Sequence, residues 1–132
     1  MGRFLAKVGL AAVLLSSTGC VVLTVGRGVM ENTGLLSGNA VTAWEMVDAG
    51  ALLIDVRSPE EFQEAPLEGA INIPYQVIGD RIGEVASDKE RGIVVYCLAG
   101  HRAAVAERTL RELGYTNVFN AGGRAGLARN RS

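Results

Sequence analysis

The stretch Gly92-Ile-Val-Val-Tyr-Cys97-Leu-Ala-Gly-His-Arg102-Ala-Ala constrains the fold of this chain more than any other. An apolar, β-branched run from Ile93 to Tyr96 stops at Cys97, and a helical pattern begins at Arg102 after a short loop containing Gly100. The order is strand, tight loop, helix. A strand that feeds straight into a helix places the loop at the strand's carboxyl end, where open α/β sheets bind ligands. Loop N–H groups and the helix N-terminus favour an anion there. A cysteine in such a loop is expected to have its thiolate stabilised, and the thiolate is the nucleophile. His101 and Arg102 add potential and permanent positive charge. The competing reading makes Cys97 a small buried hydrophobe that ends a core strand. Gly100 and Arg102 at fixed offsets favour reactivity.

The spacing narrows the chemistry. Cys97 and Arg102 form C-x4-R, with Ala103 next. Cysteine phosphatases use a loop one residue longer. A thioredoxin-like C-x-x-C is excluded, because Gly100 occupies the second cysteine's position.

The rest of the chain alternates helices and strands. Asn39 or Thr42 is placed to cap a short helix over Val41–Ala49, with Trp44 in the core. Ala51–Val56 reads as a buried parallel strand. Ser58-Pro-Glu-Glu61 has a capping residue, proline at the first helical position and acids in the first turn, predicting a helix to about Glu64. Glu60, Glu61 and Glu64 read as its solvated face. Ile71–Pro74 is a short strand, and Gln76–Val85 carries apolar residues at helical spacing. Ile93–Tyr96 is the central strand, with Tyr96 in the core. Ala103–Leu113 is a helix presenting Ala104, Val105, Leu110 and Leu113 inward, with Glu107–Arg111 and Arg108–Glu112 pairs outside. Tyr115–Phe119 is the last strand, 120–123 a turn, and 124–132 a short polar tail. This alternation predicts an α/β fold: a small, mostly parallel β-sheet with helices on both faces.

The N-terminus is of a different kind. Arg3 and Lys7 precede 19 residues, Val8 to Gly26, without a charge. Residues 1–26 are a targeting or membrane segment. Three forms fit: a lipoprotein signal that makes Cys20 the lipid attachment site, an uncleaved anchor, or a cleaved signal. Before Cys20 the sequence is Leu14-Leu-Ser-Ser-Thr-Gly, lipobox-like except for Ser17. About 20 apolar residues suffice to span a bilayer. Each form exports the domain, to a periplasm or the outer side of a bacterial membrane. Residues 27–38 read as a linker and 39–132 as one domain. Of the 13 Lys and Arg, three are Arg3, Lys7 and Arg27, leaving ten against 14 Asp and Glu. That acidic balance argues against a nucleic-acid partner.

With these segments placed, the chain from about Val41 to Gly123 resembles a rhodanese-like domain. Ile54-Asp-Val-Arg57-Ser-Pro-Glu-Glu-Phe62 is similar to the family's first block and Gly69-Ala-Ile-Asn-Ile-Pro74 to its second. Cys97 to Arg102 resembles its active-site loop, and Leu113-Gly-Tyr-Thr-Asn-Val to Gly123 its terminal block. The small size and exported N-terminus look most like the single-domain, phage-shock-type periplasmic thiosulfate sulfurtransferases. Two positions depart from the family pattern: Pro66-Leu-Glu precedes Gly69-Ala70, and Arg124 follows the final Gly-Gly. The early end of the chain implies that the family's last helix is missing.

The resemblance implies that Cys97 takes a sulfane sulfur from a donor such as thiosulfate, holds it as a persulfide and passes it to a thiol or cyanide. It implies donor binding by the loop Leu98, Ala99, Gly100, His101 and Arg102, with Arg102 on the sulfonate. His101 either assists or stands by. Asp55 and Arg57 are expected to pair in structural support of the loop. No cofactor is implied, and no metal, since one histidine and one available cysteine are too few ligands. A monomer is expected, joined to the membrane through its N-terminus. The alternative from the same family is a non-catalytic or sulfide-carrying binding module.

Overall fold

The computed structural model describes residues 35–131, so residues 1–26, Cys20 and most of the expected linker lie outside the described residues. The elements run α1 (Leu35–Asp48), β1 (Leu52–Asp55), α2 (Pro59–Glu64), β2 (Ala70–Asn72), α3 (Ile78–Val85), β3 (Ile93–Cys97), α4 (His101–Glu112), β4 (Val118–Gly123) and α5 (Arg124–Arg129). The four strands form one sheet in the order β2-β1-β3-β4, and every pair is parallel.

Strand β3 explains the two-layered core. All five of its residues are buried, and successive side chains go to opposite faces. Ile93, Val95 and Cys97 join Ile78 and Ile82 of α3 and Ala103, Ala106 and Leu110 of α4. Val94 and Tyr96 join Ala40, Ala43 and Trp44 of α1 and Leu127 of α5. Trp44 Nε1 donates to the Leu127 carbonyl at 3.0 Å, tying α1 to α5. Burying one such large apolar side chain contributes roughly 1.5–3 kcal/mol.

The connections decide where a site can lie. The chain leaves β1 toward β2 on one side and leaves β3 toward β4 on the other. The crevice above the carboxyl ends of β1 and β3 is therefore the topological switch point, the place where such sheets bind ligands. The Asp55–Arg57 turn and the Cys97 loop both open there.

Four expectations are corrected. Helix α1 begins at Leu35, so Asn39 and Thr42 sit inside it rather than capping it. Helix α4 buries Ala103, Ala106 and Leu110, whereas Ala104 is exposed and Leu113 is 42% exposed. Ala103 and Ala106 share the buried stripe with Leu110, and alanines at 103, 104 and 106 leave the sequence pattern unable to tell one facing from the next. Strand β4 starts at Val118 and continues through 120–123, where the composition predicts a turn. Finally, 124–129, expected as part of a short polar tail, is a helix whose Leu127 is fully buried.

Candidate active site

Cys97 is the last residue of β3 and is 1% exposed. The Gly100 N–H donates to its Sγ at 2.9 Å, so the loop curls back over the sulfur. Gly100 takes φ of +102°, a left-handed conformation open to glycine and strained for other residues. From there α4 starts at once, with Ala104 N–H donating to the Gly100 carbonyl at 3.0 Å. Leu98, Ala99 and His101 are exposed around the rim, Leu98 at 61%.

The end of β4 supports this loop from behind. Asn120 Nδ2 donates to the Gly100 carbonyl at 3.4 Å, and Asn120 Oδ1 accepts from Gly122 N–H at 2.8 Å. Gly123 lies so close that a Cβ there would stand 2.5 Å from the Leu98 carbonyl oxygen. Asn120 and Gly123 escape a reading of the sequence alone, because their surroundings have the composition of a turn.

Arg102 is half-buried at the start of α4 and is already paired. Its Nη1 and Nη2 donate to Oε1 and Oε2 of Glu61 at 2.8 and 3.0 Å. Glu61, expected on a solvated face, also closes the capping box of α2: Ser58 Oγ accepts from Glu61 N–H at 3.2 Å, and Ser58 N–H donates to Glu61 Oε1 at 3.3 Å. The Arg102 guanidinium, aided by the Ser58 donors, pulls the Glu61 carboxyl down to about 2. Glu61 in turn raises the pKa of Arg102 against the opposing effect of burial. The spacing Ser-x-x-Glu is a legible signal for the cap. The partner 41 residues away is not.

Asp55 and Arg57 form a buried ion pair. Arg57 Nη2 stands 2.6 Å from Asp55 Oδ2, Nε lies within 3.0 Å of both carboxylate oxygens, and Arg57 N–H donates to Oδ1 at 2.9 Å. Both residues are buried. The hydrogen bonds to Asp55 raise the pKa of Arg57 against the opposing effect of burial. Arg57 Nη2 also donates to the Ala65 carbonyl at 2.9 Å, and Arg124 Nε reaches the same oxygen at 2.7 Å. Arg124 thus clamps the backbone at 65–66, its Nη2 also donating to the Pro66 carbonyl at 3.3 Å. Next to this cluster, the buried Tyr96 hydroxyl has no hydrogen-bond partner among the described residues, and burial, with the Asp55 charge behind it, raises its pKa.

A soft nucleophile curled under a backbone N–H donor, with a guanidinium at the helix start, can attack an electrophilic sulfur and hold the product anion. The chain is similar to known sulfurtransferases. The rhodanese-like domain family description matches residues 39–126. The thiosulfate sulfurtransferase PspE of Escherichia coli is 45% identical over 75 residues, covering 57% of this chain and 72% of that protein. The chloroplastic thiosulfate sulfurtransferase 16 of Arabidopsis thaliana is 34% identical over 112 residues, covering 76% of this chain and 93% of that protein. A solved rhodanese with anions from E. coli superposes with a TM-score of 0.58 at 43% identity, covering 60% of this chain and 93% of that one.

Proposed function

This chain belongs to the rhodanese-like domain family, and from that premise we propose that it is a sulfurtransferase working through a persulfide on Cys97, with thiosulfate as donor. The Cys97 thiolate attacks the outer sulfur of thiosulfate. A new S–S bond forms, the old one breaks, and sulfite leaves with its electron pair. The charge now sits on the outer sulfur of Cys97–S–S⁻, where loop N–H groups like that of Gly100 stabilise an anion. A thiolate or cyanide then attacks that outer sulfur, carries it away and restores the Cys97 thiolate. The observation that carries this reading is the 2.9 Å hydrogen bond from Gly100 to Sγ in a loop of this length.

Loop length supports sulfur over phosphorus. A C-x4-R loop offers fewer N–H donors than C-x5-R and leaves less room for the three equatorial oxygens of a phosphoryl transition state. Arg3, Lys7 and the uncharged run after them support export to the periplasmic side of a bacterial membrane, with Cys20 as the point of lipid attachment or the segment as anchor. Among the described residues, no helix is long and apolar enough to cross a membrane. The test is sulfite release from thiosulfate with cyanide as acceptor, run beside an aryl phosphate. The expected result is sulfite and no phosphate. Phosphate release without sulfur transfer would refute the reading.

A further inference from the structure

The ion pair across the switch point gives Glu61 work that neither its sequence context nor the family match assigns. Glu61 belongs to α2, which follows β1, and Arg102 to α4, which follows β3, so their contact bridges the two walls of the crevice. The carboxylate is held from its own side first. Oε1 accepts from both Ser58 N–H and Ser58 Oγ, at 3.3 and 3.1 Å, before Arg102 Nη1 reaches it at 2.8 Å. Glu61 is therefore a fixed post and Arg102 the group it steadies. A guanidinium is planar and carries five N–H donors in a rigid fork. Glu61 takes one donor from each Nη, which uses the outer edge alone. The remaining edge, Nε–H with the neighbouring Nη–H, has no hydrogen-bond partner among the described residues.

Resting on the sulfurtransferase reading above, we propose that Glu61 is a positioning residue for the anionic sulfur donor: it grips Arg102 by one edge and leaves the other, two-donor edge to a sulfonate. Two parallel N–H···O bonds match the spacing of two oxygens on such a group. A free arginine at a helix start would instead sample many rotamers, and each encounter with the donor would have to order it. The steadying acts on donor capture. The sulfonate carries its charge both before and in the transition state, so the effect falls on KM and leaves kcat nearly alone.

The experiment uses the full chain and two donors. Thiosulfate has the sulfonate; a small alkyl hydropersulfide delivers the same sulfur with no oxyanion and releases a thiol. Glu61→Ala is expected to raise KM for thiosulfate about tenfold, on the order of releasing one arginine's rotamer freedom, with kcat within about twofold. Persulfide loading of Cys97 by the hydropersulfide, followed by intact mass, is expected to keep its half-saturating concentration. Glu61→Gln keeps one acceptor oxygen and the length of the side chain, and is expected to fall between; it also serves if the alanine variant does not fold. Equal losses with both donors would reduce Glu61 to a helix cap and overturn the proposal. So would an unchanged KM for thiosulfate in both variants, with sulfur transfer by the parent chain intact. Absence of transfer from either donor in the parent chain would overturn the sulfurtransferase reading and this role with it.

Discussion

Replacing Gly123 by alanine tests whether β4 sets the position of the Cys97 loop. The backbone at Gly123 is extended, with φ of −100° and ψ of 152°, so alanine brings no conformational strain of its own. Its effect is purely the new methyl group. That carbon would lie 2.5 Å from the Leu98 carbonyl oxygen, 3.4 Å from its carbon and 3.7 Å from Ala99 Cα. The first distance is about 0.9 Å short of ordinary contact, and the obstacle is backbone that no side-chain rotation can relieve. Either β4 or the loop must shift by nearly that amount. Overpacking of this size costs roughly 1–3 kcal/mol. Misplacing a catalytic group by about 1 Å can cost on the order of 100-fold in rate. Gly123→Ala should therefore lose about two orders of magnitude in sulfite release while the domain still melts cooperatively, a few degrees to the low side. Gly126, only three residues on, is helical, and a methyl group added there would meet nothing within 4 Å. Gly126→Ala should keep activity and stability. Full activity in Gly123→Ala would refute the claim that β4 holds the loop in register.

Two further outcomes concern the ion pairs. Arg57→Met strands the fully buried Asp55 carboxylate and should cost about 3–5 kcal/mol in urea unfolding, part of it recovered by Asp55→Asn in the same chain; a loss under about 1 kcal/mol would contradict the buried pair. Glu61 has a folded pKa of about 2, below its ordinary 4.5, so the folded chain binds fewer protons than the unfolded one between these values. Its stabilisation is complete above pH 4.5 and is lost as the pH falls toward 2. With both side chains about a third exposed, the pair is worth about 0.2–1 kcal/mol, seen as a gap between parent and Glu61→Gln unfolding midpoints at neutral pH that closes in acid. A gap independent of pH would contradict the sign.

Much of this architecture is legible in the chain. The run Ile93–Cys97 is apolar at every position because the strand is covered on both faces, and that pattern needs no partner to be seen. Ser58-Pro59 announces α2 through local chemistry alone. What escapes depends on distant or backbone partners. Glu61 meets Arg102 across 41 residues of sequence, and Arg124 recognises a carbonyl, which leaves no mark in a side-chain pattern. Asn120-Ala-Gly-Gly123 has the composition of a turn; it is a strand because it pairs with β3, and at 123 only glycine leaves room for the Leu98 carbonyl. Helix α5 is hidden because a single residue, Leu127, carries its burial.

The central claim is that Cys97 itself carries the transferred sulfur. Intact mass of the chain after thiosulfate treatment and removal of small molecules tests it most directly. The parent chain should gain the mass of one sulfur atom, lose it again on addition of cyanide, and release sulfite in step. Cys97→Ser, which alters one atom at the base of the loop, should keep its melting behaviour and gain nothing. A sulfur adduct of the same size on Cys97→Ser, or turnover by the parent chain with no adduct at any stage, would contradict the account.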